Sequence, residues 1–171
     1  GAGTAPSRIT LDNTHVVHNS ATEGGGIRLA NYNTATMPER LSLQLIGNSI
    51  VGFNNASVRG GGIACSNARL EMRNYATVRE NRVGVAGFAG SLEGGGIHSV
   101  DCELDISAIG PAGLGALYSN TAALQGRGGG LYLTGVRARA DFYPVVAGES
   151  VVVHGNRARE GGGIAVADGA R

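Results

Sequence analysis

Three acidic residues, Asp101, Glu103 and Asp105, have the spacing best suited to chemistry. Alternate side chains of a strand point to the same face, so these three carboxylates would face outward together. Clustered carboxylates on one face of a solenoid can cleave polysaccharides or bind Ca²⁺. However, exposed strand faces ordinarily have this composition, and the chain contains no lysine that could act as a base. We therefore expect a solvated strand face, with no catalytic residue, and keep a carbohydrate-active enzyme as the alternative.

The histidines do not suggest a metal site. His15, His18, His98 and His154 lack the short paired spacing that is typical of metal ligands. The glycine-rich stretches also lack the following Lys-Ser or Lys-Thr of a phosphate-binding loop. We expect neither a metal nor a cofactor.

The two cysteines, Cys65 and Cys102, lie close to one repeat apart but at different distances from the glycines that precede them. Neighbouring turns of a repeat fold could bring them together. The sequence leaves two possibilities open, a disulfide or two buried thiols.

A sequence repeat extends over the whole chain, and the fold that it predicts must position these residues. The motif Gly-Gly-Gly-Ile/Leu occurs five times at spacings of 36, 34, 34 and 33 residues. The five triads begin at Gly24, Gly60, Gly94, Gly128 and Gly161. Before each triad lies a second motif, Val/Leu-x-x-Asn. Its asparagines are Asn19, Asn54, Asn81, Asn120 and Asn156.

A third run in each repeat alternates apolar and polar residues, as in Leu104-Asp-Ile-Ser, which is the signature of a strand with one buried face. Helical repeats would need long stretches of 3.6-residue periodicity, and three consecutive glycines would destabilise a helix by about 1 kcal/mol each. The sequence therefore predicts one all-β domain over residues 1–171. We expect a single-stranded, right-handed parallel β-helix of about five coils, each of roughly 34 residues and three strands.

Coils that stack in register place equivalent residues above one another, about 4.8 Å apart. The residue after each triad would form an inward apolar ladder. The asparagines would form a ladder of turns, since asparagine tolerates the left-handed region and its amide can bond to the next coil. The glycines would allow positive φ and close approach of backbones at a sharp corner. The members of the apolar ladder would be Ile27, Ile63, Ile97, Leu131 and Ile164.

The paired GGGI and Val/Leu-x-x-Asn motifs resemble the GGA[I/L/V] and FxxN repeats of polymorphic outer-membrane proteins and autotransporter passenger domains. The resemblance covers nearly the whole chain. Val or Leu replaces the Phe, and Gly replaces the Ala, of the family motifs. It implies a pectin-lyase-like β-helix that is displayed on a bacterial surface or secreted, and that serves for adhesion or as a structural stalk or excerpt of a longer surface adhesin.

The charge and composition of the chain limit the classes of ligand and partner that we expect. The formal net charge is +1 and no basic cluster is interleaved with aromatic residues, so we expect no nucleic-acid ligand. No apolar run is long enough to insert into a membrane. We identify no polar or helical cap at either end, and the repeat would continue in phase from one copy into the next. This predicts end-to-end self-association, while a polysaccharide or a host surface is a possible ligand. Residues 83–93 and 121–127 have the variable length of loops.

Overall fold

The computed structural model describes residues 6–32, 41–84, 91–110, 114–123, 125–145 and 147–171. These residues form a parallel β-solenoid of about four complete turns, with no helix among them. The predicted all-β solenoid is confirmed, and the coil count differs slightly because the fifth turn forms three strands within the described residues. No helix in these ranges could span a membrane.

Each complete coil has four strands, one in each of four parallel sheets, where the sequence predicted three. Sheet A contains β1 (Ser7–Asp12), β5 (Leu41–Ile46), β9 (Arg69–Met72), β13 (Glu103–Ile106) and β17 (Arg139–Phe142). Sheet B contains β2 (His15–Val17), β6 (Ile50–Gly52), β10 (Thr77–Arg79), β14 (Leu117–Tyr118) and β18 (Val153–His154). Sheet C contains β3 (Ser20–Glu23), β7 (Asn55–Arg59), β11 (Arg82–Val83) and β15 (Thr121–Ala122). Sheet D contains β4 (Ile27–Ala30), β8 (Ile63–Ser66), β12 (Ile97–Val100), β16 (Leu131–Thr134) and β19 (Ile164–Val166).

The three repeated motifs correspond to sheets A, B and D. The alternating run forms sheet A, the Val/Leu of the second motif lies in sheet B, and the residue after each glycine triad opens a strand of sheet D. Sheet C follows the asparagine and has strands of only two to five residues. Its small and polar residues carry no period-2 apolar signal, which is why the sequence did not reveal it.

The core lies inside the coils and is built from stacked aliphatic side chains. Ile63, Ile97 and Leu131 are fully buried and pair directly across β8, β12 and β16. A second stack is formed by Val51, Val78 and Leu117 in sheet B. The first stack is more exposed to solvent in the fifth turn, where Ile164 is 38% exposed.

Candidate functional site

The asparagines form a continuous hydrogen-bonded ladder at the turn between sheets B and C. The Asn120 side-chain Oδ1 accepts from the backbone N–H of Asn81 at 3.0 Å and from its Nδ2 at 3.0 Å. Asn120 Nδ2 donates to the Val78 carbonyl at 2.9 Å. The same pair of bonds joins Asn19 to Asn54, Asn54 to Asn81, and Asn120 to Asn156. These amides therefore join coils and do not face a ligand.

The left-handed residue of this turn precedes the asparagine. The sequence suggested that the asparagine itself takes that conformation, but His18, Phe53, Glu80 and Ser119 have φ between 54° and 60°, and Gly155 has φ 63°. The asparagine side chain must reach the backbone of the adjoining coils, so the preceding residue makes the turn. Such residues carry a conformational cost that the ladder offsets.

Each glycine of a triad has a separate reason to lack a side chain. The first glycine has φ between 58° and 67° in all five triads, a region that other residues rarely adopt. A Cβ on Gly61, the second glycine, would lie 2.2 Å from the Gly95 carbonyl oxygen of the next coil. A Cβ on Gly62, the third, would lie 2.8 Å from Asn81 Nδ2. The triad and the asparagine ladder thus pack against each other at one corner.

The three predicted carboxylates do not form one cluster. Glu103 and Asp105 lie on the outer face of β13, but Asp101 lies in the preceding turn with φ 52°. Asp101 Oδ1 accepts the backbone N–H of Arg137 at 3.0 Å, and Asp105 forms an ion pair with Arg69. Within the described ranges, no group of three or more His, Cys, Asp or Glu residues could hold a metal ion. The arrangement is a solvated, ion-paired strand face.

Charges on this face of sheet A compensate one another. The buried carboxylate of Glu71 accepts from Gln44 Nε2 at 2.6 Å and lies 3.2 Å from both Arg69 Nε and Arg73 Nη2. Burial alone would raise the pKa of Glu71, but the Gln44 hydrogen bond and the two guanidinium charges outweigh it and lower that pKa. A shallow hollow of about 190 Å³ beside Asp105 is lined by further charged residues of β13 and β17.

A second charged ladder, which sequence reasoning missed, lies immediately before the glycine triads. Its residues alternate in sign from coil to coil: Glu23, Arg59, Glu93, Arg127 and Glu160. Three of its ion pairs have distances of 4.0, 3.5 and 3.0 Å. The signal was visible in the sequence, because each of these residues directly precedes a triad.

Glu93 is the most buried acid of this ladder and contacts the only buried histidine in the described residues. His98 Nε2 lies 3.3 Å from Glu93 Oε2, and the His98 ring stacks on Tyr132 with centroids 5.7 Å apart. The hydrogen bond from His98 lowers the pKa of Glu93, burial opposes this, and the charges of His98, Arg59 and Arg127 lower it further. Arg59 and Arg127 thus compensate the charge of the Glu93 carboxylate at the junction between coils.

The remaining histidines flank sheet B. His18 stacks on Phe53 at 5.2 Å, and His154 stacks on Tyr118 at 5.4 Å. The Arg79 guanidinium lies between these pairs, 4.8 Å from the Phe53 ring centroid and 6.0 Å from that of Tyr118. The five side chains therefore form one column along the coils, in which neighbouring rings and the guanidinium stack on one another. His15 is exposed at the start of β2.

Cys65 and Cys102 form a disulfide. Cys65 is in β8 and Cys102 directly precedes β13, and both are fully buried in the core. The offsets from the glycine triads differ because Cys65 lies within a strand of sheet D, whereas Cys102 lies at the corner between sheets D and A, one turn further along the solenoid. The bond therefore links consecutive coils across a corner.

The polar residues that recur in every coil thus stabilise the junctions between coils, while the acids that could do chemistry are held by arginines. No protein-family model, curated protein or solved structure matches this chain.

Proposed function

We propose that the chain is a non-enzymatic extracellular β-solenoid that serves as a structural and adhesive scaffold. The observation that supports this most strongly is the burial of its repeated polar residues: Asn54, Asn81 and Asn120 are at most 1% exposed. The repeat conserves its polar groups for contacts between coils, as a scaffold requires. The exposed outer faces of the sheets are available for binding.

A polysaccharide lyase or hydrolase is the alternative. Such enzymes need carboxylates that are free to transfer a proton or to bind a cation. Asp105 is paired with Arg69, and Asp101 caps a backbone N–H. Both carboxylates are therefore already engaged by groups of the chain itself, which favours the non-enzymatic role.

The disulfide supports an extracellular location. Disulfides form and persist in oxidising compartments and are rare where glutathione and thioredoxin keep thiols reduced. A buried bond that links two coils is a structural crosslink rather than an exposed redox centre. Together with the resemblance to surface-displayed repeats, this favours a secreted or cell-surface protein.

End-to-end self-association is part of the proposal, and it carries an electrostatic cost. In a contact that kept the register of the coils, Glu160 of one copy would lie next to Glu23 of the following copy. Inside the molecule, neighbours in this ladder always have opposite charges. Because salt screens such repulsion, sedimentation velocity should show larger species at high salt than at low salt. Association that weakens as salt is added would contradict this geometry.

The non-enzymatic role is tested by incubating the wild-type chain and Asp105→Asn with polygalacturonate, alginate and a neutral glucan, and by measuring new reducing ends. We expect none from either protein. Cleavage by the wild type that is lost in a folded Asp105→Asn variant would refute the proposal and establish the enzyme. Alkylation and mass spectrometry of the chain isolated from its source would test the location, and free thiols at Cys65 and Cys102 would contradict it.

A further inference from the structure

The outward face of sheet C differs from the other faces in its composition. Its outward ladder contains hydroxyl, amide and guanidinium groups, and no acid. The rungs are Ser20, Asn55, Arg82, Thr121 and Arg157, in consecutive coils. The residues that follow these rungs along each strand, such as Ala56 and Val83, point inward and are buried. The face is therefore a polar surface resting on an apolar layer.

The two arginines of this ladder, Arg82 and Arg157, have no acidic partner among the described residues. Eight other described arginines lie within 4.0 Å of a carboxylate: Arg28, Arg59, Arg69, Arg73, Arg79, Arg127, Arg137 and Arg139. Arg82 and Arg157 have no carboxylate of a described residue within that distance, and the nearby Arg159 donates to the neutral Gln125 Oε1 at 2.6 Å. The sheet C side thus presents uncompensated positive charge, although the net charge of the chain is only +1.

The same face has a hollow that could hold a ligand. It has a volume of about 350 Å³ and is lined by residues of β3, β7 and β11, including Ser20, Asn55 and Arg82. Ser57 Oγ and the Ala21 carbonyl, which form a 3.4 Å hydrogen bond, lie at its edge. Hydroxyl, amide and guanidinium groups together match the hydroxyls and anionic groups of a sugar chain.

We propose that the outer face of sheet C binds a linear acidic polysaccharide, one that bears carboxylate or sulfate groups. Arg82 and Arg157 are two rungs apart, which places their backbones about 10 Å from each other along the solenoid axis. A polysaccharide lying along the axis would meet a guanidinium at each of these rungs and the Asn55 amide and Thr121 hydroxyl at the others. Guanidinium groups bind carboxylate and sulfate oxygens in bidentate fashion.

Charge complementarity selects an anionic ligand, and the composition of the face favours a sugar over a nucleic acid. Binding of single-stranded nucleic acid relies on exposed aromatic rings for base stacking, and the sheet C ladder has none. The aromatic rings nearest in sequence, Phe53 and Tyr118, are occupied in the column beside sheet B. This inference rests on the proposed adhesive function and specifies its ligand.

The test compares the double variant R82Q/R157Q with R8Q/R171Q. Each variant loses two exposed arginines, so the net charge changes equally, and none of the four has a carboxylate of a described residue within 4.0 Å. Arg8 and Arg171 lie outside sheet C. Binding of heparin and of polygalacturonate is measured by calorimetry at low and physiological salt, with dextran and single-stranded DNA for comparison. Circular dichroism verifies the fold of each variant.

We expect the wild type to bind at least one of the two acidic polysaccharides and not dextran. R82Q/R157Q should bind about tenfold more weakly and with a smaller salt dependence, whereas R8Q/R171Q should bind within about twofold of the wild type. Equal weakening in both variants, tighter binding of DNA, or no binding of either acidic polysaccharide would overturn the inference. A failure of binding would leave the non-enzymatic scaffold intact, whereas cleavage of a bound polysaccharide would refute the scaffold but not the binding face.

Discussion

Replacing Asn120 by leucine should destabilise the solenoid far more than the same change at Asn19. Asn120 is fully buried, and its side chain bonds to four groups: the backbone N–H and the side-chain Nδ2 of Asn81, the carbonyl of Val78 and Oδ1 of Asn156. Asn156 Oδ1 also accepts the backbone N–H of residue 120, so leucine would remove this partner from the other three groups without replacement. A buried polar group that loses its partner costs about 1–3 kcal/mol. Three such groups at the lower figure give a loss of about 3 kcal/mol in the free energy of unfolding.

Asn19 is the matched control because it occupies the exposed end of the same ladder. Its Nδ2 donates to Val17 O and to Asn54 Oδ1, but Asn54 Oδ1 keeps the hydrogen bond from the Asn19 backbone N–H at 2.9 Å. Asn19→Leu therefore leaves no buried group without a partner. We expect it to change the free energy of unfolding by less than about 1 kcal/mol.

The assay is urea unfolding followed by far-ultraviolet circular dichroism, with all variants measured at the same salt and pH. Asn156→Leu serves as an intermediate, since Asn156 makes the same three bonds as Asn120 but is only partly buried. The expected order of destabilisation is Asn19, then Asn156, then Asn120. Equal losses at the three positions, or a loss below about 1 kcal/mol at Asn120, would refute the view that burial of the ladder stabilises the coils.

Three further predictions concern the corners and the crosslink. Gly62→Ala should lower the free energy of unfolding by about 2 kcal/mol in the same assay. The control is Gly163→Ala, whose Cβ would meet its nearest neighbour at 3.6 Å and which should change that free energy by less than about 0.5 kcal/mol. Similar losses in both variants would contradict the steric account. Reduction of the Cys65–Cys102 disulfide, which closes a sequence separation of 37 residues, should cost about 2–4 kcal/mol, and an unchanged thermal midpoint with dithiothreitol would argue against it. Because the pKa of Glu93 is lowered on folding, its ionisation stabilises the fold above the ordinary glutamate value of about 4.3, and that contribution is lost as the pH falls through the lower folded value. The stability difference between wild type and Glu93→Gln should therefore shrink below about pH 4, and a difference independent of pH would refute the assignment.

The sequence was sufficient to predict the solenoid because its strongest signals recur in every coil. The triad at Gly60 and the asparagine at Asn54 mark corners that only a few residue types can occupy, and Ile63, directly after the triad, marks an inward position. Such constraints are local, so they can be recognised without knowing the rest of the fold.

The missed features depend on which coils and side chains meet across space. Sheet C could not be predicted because its strands, such as Arg82–Val83, are too short to show a period. The interpretation of Asp101, Glu103 and Asp105 as one outward row was incomplete because Asp101 lies in a turn, where alternation does not hold. The sequence did not decide between a disulfide and two thiols, because pairing depends on the path of the chain between sheets. The offsets of the cysteines from the glycine triads do not give that path.

The segment between the asparagine and the glycine triad has consequences for how this fold could change. It contains four residues in the first coil, from Asn19 to Gly24, but twelve in the third, from Asn81 to Gly94. The asparagine and glycine ladders nevertheless stay in register on either side of it. Insertions at this corner are therefore tolerated without disturbing the stack. New recognition loops could be grafted here, one coil at a time, beside the outer face of sheet C.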